Sequence, residues 1–463
     1  MTDSSPSAIP TAPMIIQDAQ VLLPSGEMAL KDVAIAEGKI TAVGTGLAVT
    51  ANTQTIDGRG LTLLPGVIDP QIQFREPSLE QEAEVCTTSR ACARGGVTSF
   101  LEMPNTQPPT TTQAVLTEKL AIAASTSLVN YGFFIGATAE NLAELHTATP
   151  ICGIQITLGA ARSALATDTP KALDTPEALE PIFATGNHLI AIHTAHQTRP
   201  VEPHNKLLRH TIDQDQQTNL PDSETALMAT QKALELAKQY ERRLHILNVS
   251  TGEEAALLRE DKPSWVTAEV TPQHLLLDIE AYEETGALVQ VNPPLKNERD
   301  RELLWQALKD GIIDCVATAH APHAQDISRE RTRATQNPNA PDHPAGIPGV
   351  ETSLALMLTQ AKEGRCTIAQ VANWMSTAVA KAYSIPKKGL IEPGYDADLV
   401  LVDLSTYRPV LKEELQAQCG WSAFEGWTLT GWPVVTIVGG QVVYDHGDID
   451  DTVRGQPLQF DAN

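Results

Sequence analysis

Eight short apolar runs recur along the chain, and segments with helical spacing separate them. The runs are Val67–Asp69, Val97–Glu102, Tyr131–Ile135, Ile154–Thr157, Leu189–His193, Leu244–Asn248, Val266–Val270 and Cys315–Thr318. Nearly continuous apolar runs of this length are typical of parallel strands that are buried on both faces. Eight such strands alternating with helices predict an α/β fold with a closed (β/α)8, TIM-type barrel. A doubly wound open sheet is the competing architecture, but no Gly-x-Gly-x-x-Gly follows an early strand to support a nucleotide-binding version.

Two helices stand out between these runs. The first is predicted to begin at Ser223, because Leu227, Leu234 and Ala237 recur on one face. The second is a long helical stretch over residues 367–384.

The two ends of the chain have a different pattern, with short alternating runs bounded by Gly, Asp and Pro. Such alternation predicts hairpins, and it occurs in residues 14–64 and again in residues 389–450. Because chain ends often lie close together, we expect one small, discontinuous β-sandwich domain built from both segments around a barrel of residues 65–388. The Ser/Pro-rich residues 1–13 are predicted to form a flexible tail, and residues 451–463 an acidic, solvated one.

Composition narrows the class of partner. The 463-residue chain has a formal net charge of −24 and no block of lysines or arginines. Phosphate binding needs a positive field, so nucleic acid and anionic membranes are not expected partners. Six scattered cysteines without a CxxC pair favour reduced thiols over disulfides or a zinc cluster. We therefore expect an acidic cytoplasmic protein.

Functional side chains of a barrel enzyme lie where the strands end. At those positions the chain carries mostly neutral side chains, which are Gln71, Gln73, Gln155, His193, Asn248 and Ala319. Buried carboxamides are costly unless they are hydrogen-bonded. We therefore expect a neutral network of amides at this end of the barrel.

Several ordered motifs resemble the dihydroorotases, which are cyclic amidohydrolases. They include PGVIDPQIQFREP, GGVTSFLEMPNTQP, VNPPLKNERDRELLWQALKDGIIDCVATAHAPH and GYDADLVLVDL. The MPNT, NPPL and HAPH segments favour this family over hydantoinases and allantoinases. The resemblance covers residues 14–444 and implies an amidohydrolase barrel with a small β-sandwich.

The resemblance also implies a centre of two zinc ions bridged by a carbamylated lysine. Its two histidines after the first strand correspond to Gln71 and Gln73, and its lysine corresponds to Gln155. The histidines of strands five and six correspond to His193 and Asn248, and the aspartate of strand eight corresponds to Ala319. Of these six positions, only His193 has a side chain of the type that binds zinc in the family. Zinc prefers imidazole, thiolate and carboxylate, so we expect no metal and no catalytic residue, and His193 is interpreted as a hydrogen-bonded remnant.

The substrate-binding positions of the family are retained. They correspond to Arg75 and Asn105 for the substrate carboxylate, and to Asn292 and His323. An arginine with nearby amides suits a carboxylate. Alternatively, Arg75 pairs with a local acid such as Glu76 while the asparagines cap turns, and both interpretations stay open. Further along, His196, His204 and His210 fit surface positions better than a new metal site.

Three functions follow from this pattern. The leading hypothesis is a catalytically inactive dihydroorotase homologue of pyrimidine biosynthesis. The partners that the resemblance suggests are aspartate transcarbamoylase and further copies of the chain. The second hypothesis is an active cyclic amide hydrolase with an altered site that uses His193, His320 or His323. The third is a sensor that binds dihydroorotate or carbamoyl aspartate without turnover.

Overall fold

The computed structural model describes residues 13–74, 81–158, 173, 176–194, 222–323 and 345–461. Arg75 and the histidines at 196, 204 and 210 lie outside the described residues. Within the described part of the chain, no helix combines the length and the apolar character needed to cross a membrane. All six cysteines are free thiols, as predicted.

The N-terminal segment forms five strands before the barrel begins. They are β1 (Met14–Leu22), β2 (Met28–Ala36), β3 (Lys39–Gly44), β4 (Gln54–Asp57) and β5 (Thr62–Pro65). β1 pairs antiparallel with β2, and β2 with β3, while β4 and β5 lie parallel to β1.

The eight predicted apolar runs are the eight barrel strands. They are β6 (Val67–Ile72), β7 (Val97–Glu102), β8 (Asn130–Gly136), β9 (Gly153–Leu158), β10 (Ile190–Thr194), β11 (Leu244–Leu247), β12 (Val266–Val270) and β13 (Cys315–Val316). Each pairs in parallel with the next along the chain. The predicted barrel is therefore confirmed, although β6 extends past Asp69 to Ile72 and β13 stops at Val316.

The barrel closes between its last strand and its first through few backbone contacts. A parallel bridge joins Ile72 to His320, and the Gln73 N–H donates to the His320 carbonyl at 2.9 Å. Deeper in the barrel, the Asp69 carboxyl accepts from the Thr318 N–H at 3.1 Å and from its hydroxyl at 2.5 Å. The Asp69 side chain thus replaces the backbone ladder that the short β13 lacks.

Helices pack around the barrel and are built from apolar faces with local caps. They are α1 (Gln81–Arg94), α2 (Gln113–Thr126), α3 (Leu142–Thr147), α4 (Pro176–Ala184), α5 (Asp222–Gln239), α6 (Gly252–Asp261), α7 (Pro272–Leu276), α8 (Ala281–Thr285), α9 (Glu298–Lys309), α10 (Ser353–Lys362), α11 (Ile368–Ala372) and α12 (Ala378–Ala382). α5 confirms the helix predicted from Ser223. The stretch predicted over 367–384 is interrupted by a π-helical turn, Asn373–Thr377, in which the Ala378 N–H donates to the Asn373 carbonyl.

The C-terminal segment completes the small domain. Its strands are β14 (Leu399–Asp403), β15 (Arg408–Pro409), β16 (Thr428–Leu429), β17 (Trp432–Val438), β18 (Gln441–Asp445) and β19 (Asp448–Ile449). β14 pairs antiparallel with both β17 and β5, so one nine-stranded sheet contains strands from both ends of the chain. The discontinuous, mainly antiparallel small domain is therefore confirmed, while its residue boundaries stay predictions.

The last residues do not form the solvated tail that their acidic character predicted. The Gly455 N–H donates to the Ser127 carbonyl, and the Leu458 N–H donates to the Tyr131 carbonyl at 2.8 Å. Leu458 is 2% exposed and belongs to a hydrophobic cluster that includes Ile68 and Leu101 of the barrel strands. The backbone hydrogen bonds and the burial of Leu458 hold this segment against the barrel despite its acidic side chains.

Truncation of this anchor should destabilise the protein. We expect Leu458→Ala to lower the free energy of unfolding by about 2–5 kcal/mol, because it leaves a cavity under the barrel. Leu30→Ala is the control, since Leu30 is 54% exposed in β2 and should cost less than about 0.5 kcal/mol. Urea denaturation measures both, and equal effects of the two changes would contradict a packed C-terminus.

Candidate functional site

The candidate residues lie in or directly after the barrel strands. Gln71 lies in β6 and Gln155 in β9, while His193 is the penultimate residue of β10. Asn248 directly follows β11, and Ala319 follows β13 by three residues. Because parallel strands end at one rim of a barrel, four of these positions share that rim, while Gln155 lies in the middle of β9.

One pair of predicted residues is brought into direct contact. The Asn105 side-chain amide donates to Gln73 Oε1 at 3.0 Å, although 32 residues separate them. Gln73 is also fixed by its backbone bond to His320. The predicted amide network is therefore present at this point, between the ends of β6 and β7 and the segment after β13.

The other carboxamides do not join that network in the described structure. Gln155 Nε2 donates to the Thr157 hydroxyl at 2.9 Å, within its own strand. Gln71 Oε1 and Asn248 Oδ1 are buried and have no hydrogen-bond partner among the described residues, nor has Asn105 Oδ1. The expectation of one continuous network was therefore too simple.

Two of the degenerate positions adopt a left-handed backbone. Asn248 has a φ of 54° and Ala319 a φ of 50°. Asparagine and aspartate visit this region readily, whereas alanine does so at a cost. The backbone conformation at position 319 therefore suits an aspartate better than an alanine.

An ion pair that the motifs did not indicate supports the loop carrying Asn105. Lys119 of α2 pairs with Glu102 at the end of β7, and both side chains are almost completely buried. The same ammonium donates to the hydroxyls of Thr110 at 3.0 Å and Thr106 at 3.3 Å. The lone carboxylate in the apolar run VTSFLE was the available signal for this pair.

A second polar group missed by sequence reasoning lies inside the barrel. Buried Glu269 contacts His245 Nε2 at 3.0 Å, and His245 Nδ1 contacts the Thr267 hydroxyl at 2.7 Å. Burial raises the pKa of Glu269 well above its usual value and lowers that of His245 to about 3. Burial thus favours the uncharged form of both groups beneath the site.

Asn292 and His323, two of the predicted substrate-binding residues, lie within the described part of the chain. Asn292 precedes a cis-proline whose carbonyl contacts buried His274 at 3.0 Å. His323 is buried, and its carbonyl accepts from Trp421 Nε1 at 2.7 Å. Both residues make further contacts. Since Arg75 lies outside the described residues, the carboxylate clamp stays a prediction.

His320, a candidate in the altered-site hypothesis, is not poised for proton transfer. Its Nδ1 accepts from the Gly349 N–H at 3.0 Å, and burial lowers the pKa of its imidazole to about 3. A general base needs a pKa near the working pH. The low pKa makes the His320 imidazole a weak base, and its contact with Gly349 fixes the segment after β13.

The Asp69 closure makes stability depend on pH. Burial raises the pKa of Asp69 to about 7 from an unfolded value of 3.8. Between these values the folded state holds a proton that the unfolded chain has lost, so the free energy of unfolding falls as pH rises. A shift of about three pKa units corresponds to a loss of at most about 4 kcal/mol in the free energy of unfolding across this pH range.

Asp69→Asn removes this titration while it keeps groups that can bond Thr318. We expect the variant to gain stability relative to the wild type as pH rises from 4 to 7, measured by urea denaturation. Asp310→Asn is the control, because Arg259 lowers the pKa of that exposed carboxyl. A constant difference between Asp69→Asn and the wild type across the window would contradict a protonated Asp69.

The residues present do not fit a centre of two zinc ions. The donor set consists of carboxamides at 71, 73, 155 and 248, a methyl group at 319 and one imidazole. Among the described residues, no three His, Cys, Asp or Glu side chains are grouped for a metal. Carboxamides bind zinc poorly, and two divalent ions need anionic neighbours that this rim does not supply.

Comparison with known proteins agrees with the barrel and its flanking sheet. The model of the Amidohydrolase family matches residues 62–443. The dihydroorotase of Halobacterium salinarum is 32% identical over 452 residues, which cover 96% of this chain and 99% of that protein. The dihydroorotase of Methanosarcina acetivorans is 31% identical over 438 residues, covering 92% and 90%.

A solved structure gives the same result in three dimensions. The L-hydantoinase (dihydropyrimidinase) from Arthrobacter aurescens superimposes with a TM-score of 0.83 at 26% identity, covering 97% of this chain and all of that one. The similarity thus spans both the barrel and the sheet built from the two chain ends. The chain therefore belongs to the amidohydrolase family, as a relative of the dihydroorotases.

Proposed function

We propose that this chain is a catalytically inactive, dihydroorotase-like protein of pyrimidine biosynthesis. The observation that carries the proposal is the neutral rim formed by Gln71, Gln73, Asn248 and Ala319, together with Gln155 inside β9. Hydrolysis of a cyclic amide requires an activated water and a group that moves its proton. The side chains at these positions supply neither.

The surroundings of the rim support the same conclusion. The histidine nearest to the missing aspartate, His320, has a pKa lowered to about 3 and bonds backbone amides. Burial raises the pKa values of both carboxyls beneath the rim, to about 7 for Asp69 and well above the usual range for Glu269. At neutral pH the His320 imidazole is therefore a weak base, burial shifts Glu269 towards its acid form, and the Asp69 carboxyl is bound to Thr318 beneath the rim.

The direct test is hydrolysis of dihydroorotate by the purified protein with zinc and bicarbonate supplied. We expect no turnover above the uncatalysed rate, and no difference between the wild type and His193→Ala. A clear rate in the wild type that is lost in His193→Ala would establish the altered-site enzyme instead.

We further propose that the protein acts as a structural or regulatory partner of aspartate transcarbamoylase. The support is that the chain spans 90–99% of the length of the dihydroorotases that it resembles. It thus has the complete scaffold but lacks the metal-binding side chains of the family. Sedimentation velocity with and without purified transcarbamoylase tests this role. A joint, faster-sedimenting species is expected, and two unchanged boundaries at micromolar concentrations would overturn the partnership.

A second candidate function is a sensor of dihydroorotate or carbamoyl aspartate. It is favoured by the buried oxygens of Gln71, Asn105 and Asn248, which lack partners among the described residues and suit a ligand with N–H groups. Binding to the folded state must raise stability. A higher melting temperature with either compound at millimolar concentration would support this function, and no change with both would exclude it.

A further inference from the structure

The described residues line a partly open cavity of about 470 Å³ at the end of the barrel opposite to the candidate site. Its walls include Arg243, Trp265 and Asp314, each of which directly precedes a barrel strand. Strand N-termini mark the face that barrel enzymes do not use for catalysis. We call this space, lined also by residues of the 373–384 segment, the basal cavity.

Two cations line the basal cavity without an acidic partner in the described structure. Arg243 donates from one nitrogen to the Ala382 carbonyl and the Ser384 hydroxyl, both at 2.9 Å, and forms no ion pair there. Burial lowers the pKa of its guanidinium, as expected for a desolvated charge that no anion offsets. Lys381 is exposed at the cavity and is also without an ion pair among the described residues.

The acid in the wall is already engaged. Asp314 accepts from Lys262 Nζ at 2.7 Å and from the Ala268 N–H at 2.9 Å. The cavity therefore has a local excess of positive charge in a chain with a net charge of −24. Such a local excess favours an anion.

Aromatic surface lies in the same wall. The Trp265 side chain is 43% exposed, and Trp374 lines the cavity from the π-helical turn Asn373–Thr377. Large exposed indoles stack readily on planar rings. π-helical turns are rare and are frequent at functional sites, and the cavity volume lies within the range of small-molecule sites.

We propose that the basal cavity binds a small anionic ligand with an aromatic ring, of the nucleotide class. Arg243 and Lys381 contact its phosphate or carboxylate, and Trp265 stacks on its ring. The arginine fork is held towards the cavity by Ala382 and Ser384, so little side-chain entropy is lost when the anion binds. The proposal concerns a different end of the barrel from the candidate site and does not depend on the proposed function.

Isothermal titration calorimetry of the full chain tests this site with UMP, AMP, uridine and inorganic phosphate. We expect at least one nucleotide to bind, with uridine and phosphate each weaker by at least about ten-fold, because each lacks one of the two recognised groups. No heat with either nucleotide at millimolar concentration would overturn the proposal. So would binding of phosphate as tight as that of the nucleotides.

Variants locate the binding. Lys381→Glu and Trp265→Ala change exposed side chains and should each weaken the nucleotide by at least about ten-fold, while Arg243→Ala should do the same if it folds. Matched controls are Lys412→Glu and Trp427→Ala, on exposed residues outside the cavity, which should leave the affinity unchanged. Loss of binding in Gln73→Ala but not in Lys381→Glu would place the ligand at the other end of the barrel and overturn the proposal.

Discussion

Restoring the ligand positions should create zinc binding and hydrolysis of dihydroorotate, neither of which the proposed function expects of the wild type. The variant combines five changes, which are Gln71→His, Gln73→His, Gln155→Lys, Asn248→His and Ala319→Asp. We expect its rate with zinc and bicarbonate to exceed the wild-type background by about a thousand-fold or more, because a metal-bound water ionises near neutral pH and a positioned proton acceptor adds 10²–10⁴.

The backbone gives a reason to expect that the restored side chains fit. Asn248 and Ala319 already have φ values of 54° and 50°, a region in which histidine and aspartate are enriched over most residues. Ala319→Asp should therefore not strain the chain after β13. Metal content measured by mass spectrometry provides a readout that does not depend on turnover.

A four-fold variant that keeps Ala319 is the matched control. It should take up zinc but remain without substantial activity, because no side chain then moves the proton of the attacking water. If the five-fold variant folds and binds zinc but stays inactive, the loss of ligands is not the reason for inactivity. Activity in the wild type would contradict the proposal that the protein is catalytically inactive.

Lys119→Met should cost about 3–5 kcal/mol of unfolding free energy, the range for removing one partner of a buried ion pair. Lys119 and Glu102 are 1% and 0% exposed, so the remaining carboxylate would lie buried without its partner. The change also removes the donor to Thr106 and Thr110 and thereby loosens the loop that carries Asn105.

An exposed pair is the control for this prediction. Lys238→Met, which breaks the pairing with Asp261 at the surface, should cost no more than about 1 kcal/mol. The double change Lys119→Met with Glu102→Leu should recover most of the loss, because no buried charge is then left unpaired. Urea denaturation compares all three variants, and equal costs for Lys119→Met and Lys238→Met would contradict a structural role of the buried pair.

The barrel was predictable because its signal is local. Each strand is an apolar run in the sequence, and Val97–Glu102 and Val266–Val270 have the predicted limits. Errors occurred where tertiary contacts extend or shorten an element. Pairing with Glu102 continues β6 to Ile72, whereas β13 ends at Val316 and Thr318 beyond it bonds to the Asp69 side chain. The C-terminal segment was mispredicted because its charge is visible in sequence, whereas the groove that receives Leu458 is not.

The sequence alone also shows that the site lacks zinc-binding side chains. Carboxamides and a methyl group at the strand ends are a fact of the sequence, and ligand chemistry follows from side-chain type alone. The sequence by itself therefore established the eight-stranded α/β architecture, the family resemblance and the degenerate rim.

Only the tertiary structure decided which of these groups meet and in which charge state. The contact of Gln73 with Asn105, the closure of the barrel by Asp69 and the burial of Lys119 with Glu102 join residues from separate strands and helices. The basal cavity likewise assembles side chains from positions 243 to 384. Burial and long-range contact depend on the packing of distant segments, and the same packing sets the desolvation that shifts each pKa, so no local pattern contains them.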